Sequence, residues 1–180
     1  MINLQLKFIQ DLEAESLQSQ FDGILRKLTP AELKRYSQIH PDLRLLFDES
    51  RKELLLRQSV VKNPTDIYLV CGNRNKEDQT QAVAGGFSKV FWPNSKHNRG
   101  QDESCEDETY CSDAMDIAPF PIDWNDERRF KDLIQLVMSV AFKLEKEGRI
   151  RKIRFGADFN MDGNFKNDKF VDLPHVEVLV

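Results

Sequence analysis

The segment from Asp126 to Glu147 is the clearest element in the sequence. Its apolar residues recur at helical spacing and form one continuous face, made of Phe130, Leu133, Ile134, Val137, Val140, Ala141 and Leu144. Gly148 follows at the position where a helix usually has its C-terminal cap. The pattern predicts one long amphipathic helix in the C-terminal half of the chain.

Residues 1–58 are predicted to be helical. Apolar residues again recur at helical spacing, at Leu17, Phe21, Leu25 and Leu28. The sequence Thr29-Pro30-Ala31-Glu32 predicts a helix start with a capping box. His40-Pro41-Asp42 ends that helix, and a third is expected from about Asp42 to Gln58.

Short apolar runs predict strands after residue 63. They are Ile67–Cys71, Ala114–Ala118 ended by Pro119, Lys152–Phe155 and Val176–Val180. A short helix is expected from Lys76 to Ala84, before Gly85-Gly86. Helices followed by short strands around helices predict an α+β fold with a small mixed or antiparallel sheet.

Length and charge limit the classes of protein. The 180 residues fit one domain, or one domain with a helical extension, and the net charge of −4 argues against a nucleic-acid binder. No stretch has the apolar length of a membrane span, and the N-terminus lacks the features of a signal peptide. We expect a monomer that is made in the cytoplasm and stays there until released to the cell wall or periplasm.

The cysteines are Cys71, Cys105 and Cys111. An odd number in a chain without a signal peptide predicts reduced thiols. Cys105 and Cys111 are near enough in sequence to pair after release to an oxidising space, so that pairing stays open.

Two of the three histidines suggest a metal site. His40 is expected to be a surface turn residue, whereas His97 lies in a polar loop and His175 at the start of the last strand. Asp116 lies inside an apolar run, where a carboxylate must be paired or bound to a cation. Two histidines and a carboxylate form a standard catalytic zinc set. From spacing alone, scattered polar residues without a metal are the favoured alternative.

Several motifs in order resemble the family of zinc D-Ala-D-Ala carboxypeptidases and L-alanyl-D-glutamate peptidases. Ser95-Lys96-His97 with Gly100, then residues 113–119, is similar to a split S-x-H-x-x-G-x-A-x-D motif. Residues 155–158 and 172–177 resemble the second half, and residues 122–126 resemble the phage endolysin branch. The resemblance covers residues 38–180, a zinc peptidase domain with a Hedgehog-like or DD-peptidase-like fold, and leaves residues 1–37 as an N-terminal helical extension.

The resemblance also implies roles for single residues. His97, Asp116 and His175 would bind zinc, and Asp172 would be the general base. Arg74, in Gly72-Asn73-Arg74, would bind substrate and steady charge in the transition state. Two further residues would contact substrate or support the ligands, namely Ser95 and Glu177, the latter with a structural role as the main alternative.

Two segments depart from this pattern. Residues 101–112 are an acidic insert between the first histidine and the aspartate, and must loop out so that the flanks still meet. The insert is interpreted as a solvated loop, a contact for substrate or partner, or a cation-binding flap. Asp158, Asn160 and Asp162 follow D-x-N-x-D-G, the first half of a calcium loop. Position twelve is Lys169 rather than Glu, so a turn-rich loop is the alternative to a calcium site.

Four functions follow from these observations. The favoured one is a zinc-dependent peptidoglycan hydrolase that cuts the L-Ala–D-Glu bond of the stem peptide. A D-Ala-D-Ala carboxypeptidase or dipeptidase would use the same metal set. A non-catalytic zinc-containing binding module would need neither Asp172 nor Arg74. A protein that binds only calcium is the weakest alternative.

Overall fold

The computed structural model describes residues 25–58, 66–99, 110–163 and 171–179. Their elements in chain order are α1 (Pro30–Gln38), α2 (Pro41–Gln58), β1 (Asp66–Cys71), α3 (Lys76–Ala84), a short 3-10 helix η1 (Lys96–Asn98), β2 (Ala114–Phe120), α4 (Glu127–Lys146), β3 (Ile153–Phe155) and β4 (His175–Val178). The predicted α+β class is confirmed. None of the helices in these ranges is long and apolar enough to cross a membrane.

The four strands form one antiparallel sheet in the order β1-β2-β4-β3. Successive side chains of a strand point to opposite faces of the sheet. One face packs with α2 and α4 in the apolar core, to which the strands contribute Ile67, Leu69, Met115, Ile117, Ile153, Phe155, Val176 and Val178. The intervening residues Asp116, His175 and Glu177 therefore point to the other face, and all three are buried.

The start of α1 agrees with its sequence signal. Thr29 caps the helix, and its side chain and Glu32 form the reciprocal bonds of a capping box. The prediction that residues 1–58 are helical is wrong for Leu25 and Leu28, which lie in non-helical chain before the cap. The reason is local, because a capping residue that precedes a proline adopts extended backbone. Leu17 and Phe21 lie outside the described residues.

The prediction that Pro119 ends the second strand is also wrong. β2 continues to Phe120, and Pro119 lies opposite Ile67 of β1. β4 pairs only with Ala114–Asp116, so the far half of β2 has β1 as its one neighbour in the sheet. A proline is tolerated where one edge of a strand is unpaired.

The long helix α4 follows its predicted pattern closely. Asp126 caps its start through a bond to the backbone N–H of Arg129, and Gly148 has a positive φ of 68° just after its end. Every residue of the predicted apolar face is buried. The helix and α2 together cover the apolar face of the sheet.

His40 is not the surface residue that the sequence suggested. It is 2% exposed, and its ring packs edge-on against Tyr110 with centroids 4.4 Å apart. Its Nδ1 accepts a bond from the backbone N–H of Asp42, and its Nε2 lies 3.1 Å from Arg151 Nη1. Tyr110 and Arg151 are both far from His40 in the sequence, so the local sequence does not reveal that His40 is buried.

Candidate metal centre and active site

Strand register puts three side chains in one row across the sheet. Cys71 of β1 lies opposite Asp116 of β2, and Asp116 lies opposite His175 of β4. Arg154 of β3 lies opposite Glu177 of β4, one row further along the face. The sheet therefore brings together residues that are far apart in sequence.

His97 approaches this row from η1. Ser95 caps η1, and its hydroxyl accepts a bond from the backbone N–H of His97 at 3.3 Å. The backbone N–H of Asp113 bonds to the carbonyl of Lys96 at 2.9 Å, which ties η1 to the start of β2. His97 is 1% exposed as a result.

Three atoms of His97, Asp116 and His175 converge on one point. His97 Nε2 lies 3.3 Å from His175 Nδ1, and Asp116 Oδ1 lies 3.3 Å and 3.2 Å from these two nitrogens. Ligands bound tetrahedrally to zinc at about 2.0–2.1 Å lie about 3.3 Å apart. The triangle thus has the size that one such ion requires.

A hydrogen bond behind each imidazole sets its orientation. His97 Nδ1 lies 2.6 Å from the carbonyl oxygen of Gly72, and His175 Nε2 lies 2.9 Å from Glu177 Oε2. Because an oxygen can only accept, each of these nitrogens carries the proton. The other nitrogen of each ring then faces the triangle, the orientation that a metal-ligating histidine needs.

Charge stabilises the same arrangement in the metal-free protein. Burial lowers the pKa of His97, but attraction and hydrogen bonding to Asp116 outweigh it and raise that pKa to about 10. Burial raises the pKa of Asp116, but His97 and His175 outweigh it and hold the pKa well below its usual value. Before a metal binds, the His97 imidazole is therefore held as a cation beside the Asp116 carboxylate, and a bound metal ion must displace its Nε2 proton.

Arg74 and Asp172 lie beside the triangle. Arg74 Nη2 donates to Asp116 Oδ2 at 2.5 Å, on the side of the carboxylate away from the histidines. Asp172 and Arg74 line a cleft of about 820 Å³ together with His97 and His175. Burial, and then repulsion from Asp116, raise the pKa of Asp172.

The cleft has two walls of different character. The segment between α3 and η1 supplies Phe87 and Val90, and η1 supplies Lys96. On the other wall, β3 and the turn after it supply Arg154 and Phe159. Phe87 is 82% exposed, and its ring packs over Gly85, where a Cβ would meet the ring at 2.9 Å. Phe87 and Val90 thus give the cleft an exposed apolar wall beside its charged residues.

Comparison with known proteins identifies the family. A family model described as phage L-alanyl-D-glutamate peptidase matches residues 26–179. The chain belongs to this family. The resemblance inferred from the sequence motifs is thereby confirmed, and the matched range takes in α1 as well as the sheet.

Individual relatives agree with this assignment. An L-alanyl-D-glutamate peptidase of Escherichia phage T5 is 31% identical over 116 residues, which cover 62% of this chain and 72% of the relative. The crystal structure of the Serratia marcescens L-Ala D-Glu endopeptidase ChiX is similar, with a TM-score of 0.51 and 17% identity. That alignment covers 84% of this chain and 89% of ChiX, and it supports the fold. Family membership makes the chain a peptidase of the peptidoglycan-cleaving type.

A thiol that the sequence interpretation left aside lies at this centre. Ligand atoms of Cys71, His97 and Asp116 lie within 4.8 Å of one another, so these three side chains are a group that could hold a metal ion. The thiol, however, lies on the Nδ1 side of His97, at 3.9 Å, where that nitrogen already faces the Gly72 carbonyl. The triangle with His175 is the better site on geometry. The one sequence signal for Cys71 was its place just before Gly72-Asn73-Arg74.

The described residues on the two sides of the acidic insert lie close together. The Arg99 guanidinium lies 4.0 Å from the ring centroid of Tyr110, on either side of the undescribed residues 100–109. Cys111 and Ser112 are not solvated, because both are fully buried and bond through their backbone N–H groups to Gln38. The prediction of a loop extending to residue 112 is therefore wrong at its end. Cys111 takes part in a disulfide bond, so the prediction of reduced thiols is wrong for this residue, whereas Cys71 is a free thiol. Cys105 lies outside the described residues.

The candidate calcium loop is held by its own hydrogen bonds. The Asp158 carboxylate accepts from the backbone N–H groups of Asp162 at 3.2 Å and Gly163 at 2.9 Å, and Asn160 Oδ1 accepts from Asp162 at 3.1 Å. These bonds fit the turn-rich alternative, since they shape the loop without an ion. Asp168 and Lys169, on which the calcium motif also depends, lie outside the described residues.

Proposed function

We propose that this protein is a zinc-dependent peptidase that cuts the L-Ala–D-Glu bond of the peptidoglycan stem peptide. The observation that carries the zinc assignment is the triangle of His97 Nε2, Asp116 Oδ1 and His175 Nδ1, with edges of 3.2–3.3 Å. Family membership over residues 26–179 supports the choice of bond. Both relatives described above carry the same bond in their names.

The donor set fits zinc by its chemistry as well as its size. Two imidazole nitrogens and one carboxylate oxygen are a usual catalytic zinc set, which leaves a fourth position for water or substrate. The histidines also line the cleft, so that position would face it. When bound, zinc supplies a Lewis acid that polarises the scissile carbonyl and makes a water molecule more acidic.

Asp172 would be the general base. Its carboxylate lines the cleft beside both histidines, and its raised pKa brings it nearer to the pH at which a base exchanges protons efficiently. It would take a proton from the attacking water onto a carboxylate oxygen. It would then pass that proton to the amide nitrogen of D-Glu, which leaves as an amine.

Arg74 would stabilise the negative charge that develops on the substrate oxygen during the reaction. Its bond to Asp116 Oδ2 keeps the other carboxylate oxygen directed at the histidines. A guanidinium has five N–H donors, and the bonds to Asp116 and Cys71 use two of them. Donors that face the cleft would bind the oxygen on which negative charge develops.

The walls of the cleft suit an anionic peptide attached to a larger polymer. Glutamate has two carboxyl groups, and because one continues the chain the other is a free anion close to the scissile nitrogen. Lys96 and Arg154 line the cleft and would attract that anion. Phe87 and Val90 would contact the less polar parts of the substrate.

Digestion of purified peptidoglycan tests the proposal. The protein is stripped of metal with a chelator, reloaded with zinc or left empty, and the products are analysed by mass spectrometry. New N-terminal D-Glu in the zinc-loaded sample alone is the expected result. Release of D-Ala alone would indicate a carboxypeptidase instead, and equal cleavage by the metal-free sample would contradict zinc dependence.

A further inference from the structure

Cys71 reaches the centre because of an irregularity in its strand. The register of β1 against β2 shifts between Leu69 and Cys71, so that Cys71 rather than Val70 lies opposite Asp116. A bulge of this kind redirects a side chain, and bulges are common beside active sites. The half-buried thiol thereby lies next to the guanidinium of Arg74.

Two groups hold that guanidinium by different edges. Arg74 Nε donates to Cys71 Sγ at 3.2 Å, and Arg74 Nη2 donates to Asp116 Oδ2 at 2.5 Å. The backbone of Arg74 is fixed separately, since its N–H bonds to the His97 carbonyl at 3.0 Å and its carbonyl accepts from Asn98 Nδ2 at 2.6 Å. The backbone bonds set where the side chain starts, and the thiol and carboxylate set its direction.

The Arg74 side chain has room for a second orientation. Arg74 lines the main cleft and also a second cavity of about 490 Å³, which Cys71 and Asp78 line as well. Without the sulfur contact, one bond to Asp116 would remain to keep the guanidinium at the centre. Asp78 would be a competing anion on the other side.

We propose that Cys71 is a positioning residue, whose sulfur holds Arg74 toward Asp116 and the main cleft. The proposal rests on the proposed function, because the positioned arginine serves that reaction. The metal-ligand alternative is disfavoured by distance and orientation, since the thiol lies 3.9 Å from His97 Nδ1, the nitrogen that bonds to Gly72.

Kinetics of a small set of variants test this role. Cys71→Ala should lower kcat about tenfold or more, the effect of losing one hydrogen bond to a charged group, and should keep one zinc. Cys71→Ser, which keeps an acceptor, should recover much of the rate. Tyr68→Phe, a small change in β1 outside the bulge and opposite Ala118, is the matched control and should behave like the wild type.

A double-mutant cycle distinguishes a positioning role of Cys71 from a general destabilisation of the fold. In an Arg74→Ala background, adding Cys71→Ala should reduce kcat no further, because the residue it positions is absent. An equal additional loss in that background, or wild-type kcat in Cys71→Ala, would overturn the proposal.

Two further readouts do not depend on which bond is cut. A crystal structure of Cys71→Ala should show the Arg74 guanidinium turned away from Asp116, and an unchanged Arg74 would contradict the proposal even if the proposed reaction is correct. The cobalt-substituted wild-type protein should lack a thiolate-to-cobalt charge-transfer band. Such a band, or loss of metal in Cys71→Ala, would make Cys71 a ligand instead.

Discussion

Glu177→Gln should weaken zinc binding without unfolding the protein. Glu177 acts as an acceptor on two sides, with Oε2 2.9 Å from His175 Nε2 and Oε1 2.8 Å from Arg154 Nε. A glutamine of the same size offers an accepting oxygen on one side and a donating NH₂ group on the other. If its oxygen faces His175, its NH₂ group faces the guanidinium, which also only donates.

The opposite orientation of the glutamine is worse for the metal. Its NH₂ group would then face His175 Nε2 and require the proton on Nδ1, the nitrogen that faces His97 and Asp116. Loss of such an orienting partner typically weakens metal affinity 10–100-fold, which is about 1.4–2.7 kcal/mol. The Glu177 side chain is 4% exposed, so water cannot readily replace the lost bond.

A competition titration with a coloured chelator measures this effect. Glu145→Gln is the matched control, because Glu145 Oε1 accepts a structural bond from the backbone N–H of Ile153 at 2.8 Å, and a glutamine oxygen can keep that bond. The control should bind zinc as the wild type does. Zinc affinity of Glu177→Gln within twofold of the wild type would refute the orienting role, and equal losses in both variants would indicate a general effect on the fold.

Four other outcomes are expected. Asp172→Asn should keep zinc but lose about 10²–10⁴ in hydrolysis rate, and near wild-type turnover would require another base. Because the pKa of metal-free His97 is raised to about 10, zinc must displace a proton from this ring. Zinc affinity should therefore rise with pH below that value, about tenfold per pH unit for each proton released. A zinc affinity that does not change with pH in titration calorimetry would contradict this. Deletion of residues 101–109 should leave zinc content intact and change the rate on peptidoglycan, and loss of zinc would mean that the insert supplies a ligand. Calcium at Asp158, Asn160 and Asp162 would compete with the loop's own hydrogen bonds, so it should bind weakly, at roughly 10⁻⁴ M or poorer, and raise activity; a flat calcium titration, the same in Asp162→Ala, would establish the turn-rich alternative.

Elements with strong local signals could be predicted from the sequence. The helix Glu127–Lys146 has a long periodic apolar face, and the start of α1 has a capping residue, a proline and Glu32 in their expected order. Both signals lie within a few residues of the structure that they determine. The family motifs likewise named His97, Asp116 and His175, which the structure brings within 3.3 Å of one another.

Features that depend on pairing between distant segments could not be predicted. Cys71 lies opposite Asp116 only because the register of β1 shifts, and a register is not visible in either strand alone. Arg154 pairs with Glu177 across two strands, and His40 is buried by Tyr110 and Arg151. Each of these depends on tertiary packing rather than on local periodicity.

The position of the metal tests the central claim most directly. A crystal of the zinc-loaded protein, measured at the zinc absorption edge, gives the ion and its ligands in one experiment. We expect one anomalous peak about 2.0–2.2 Å from His97 Nε2, Asp116 Oδ1 and His175 Nδ1. A peak bound to Cys71 and distant from His175, or no peak in the triangle, would contradict the proposed centre.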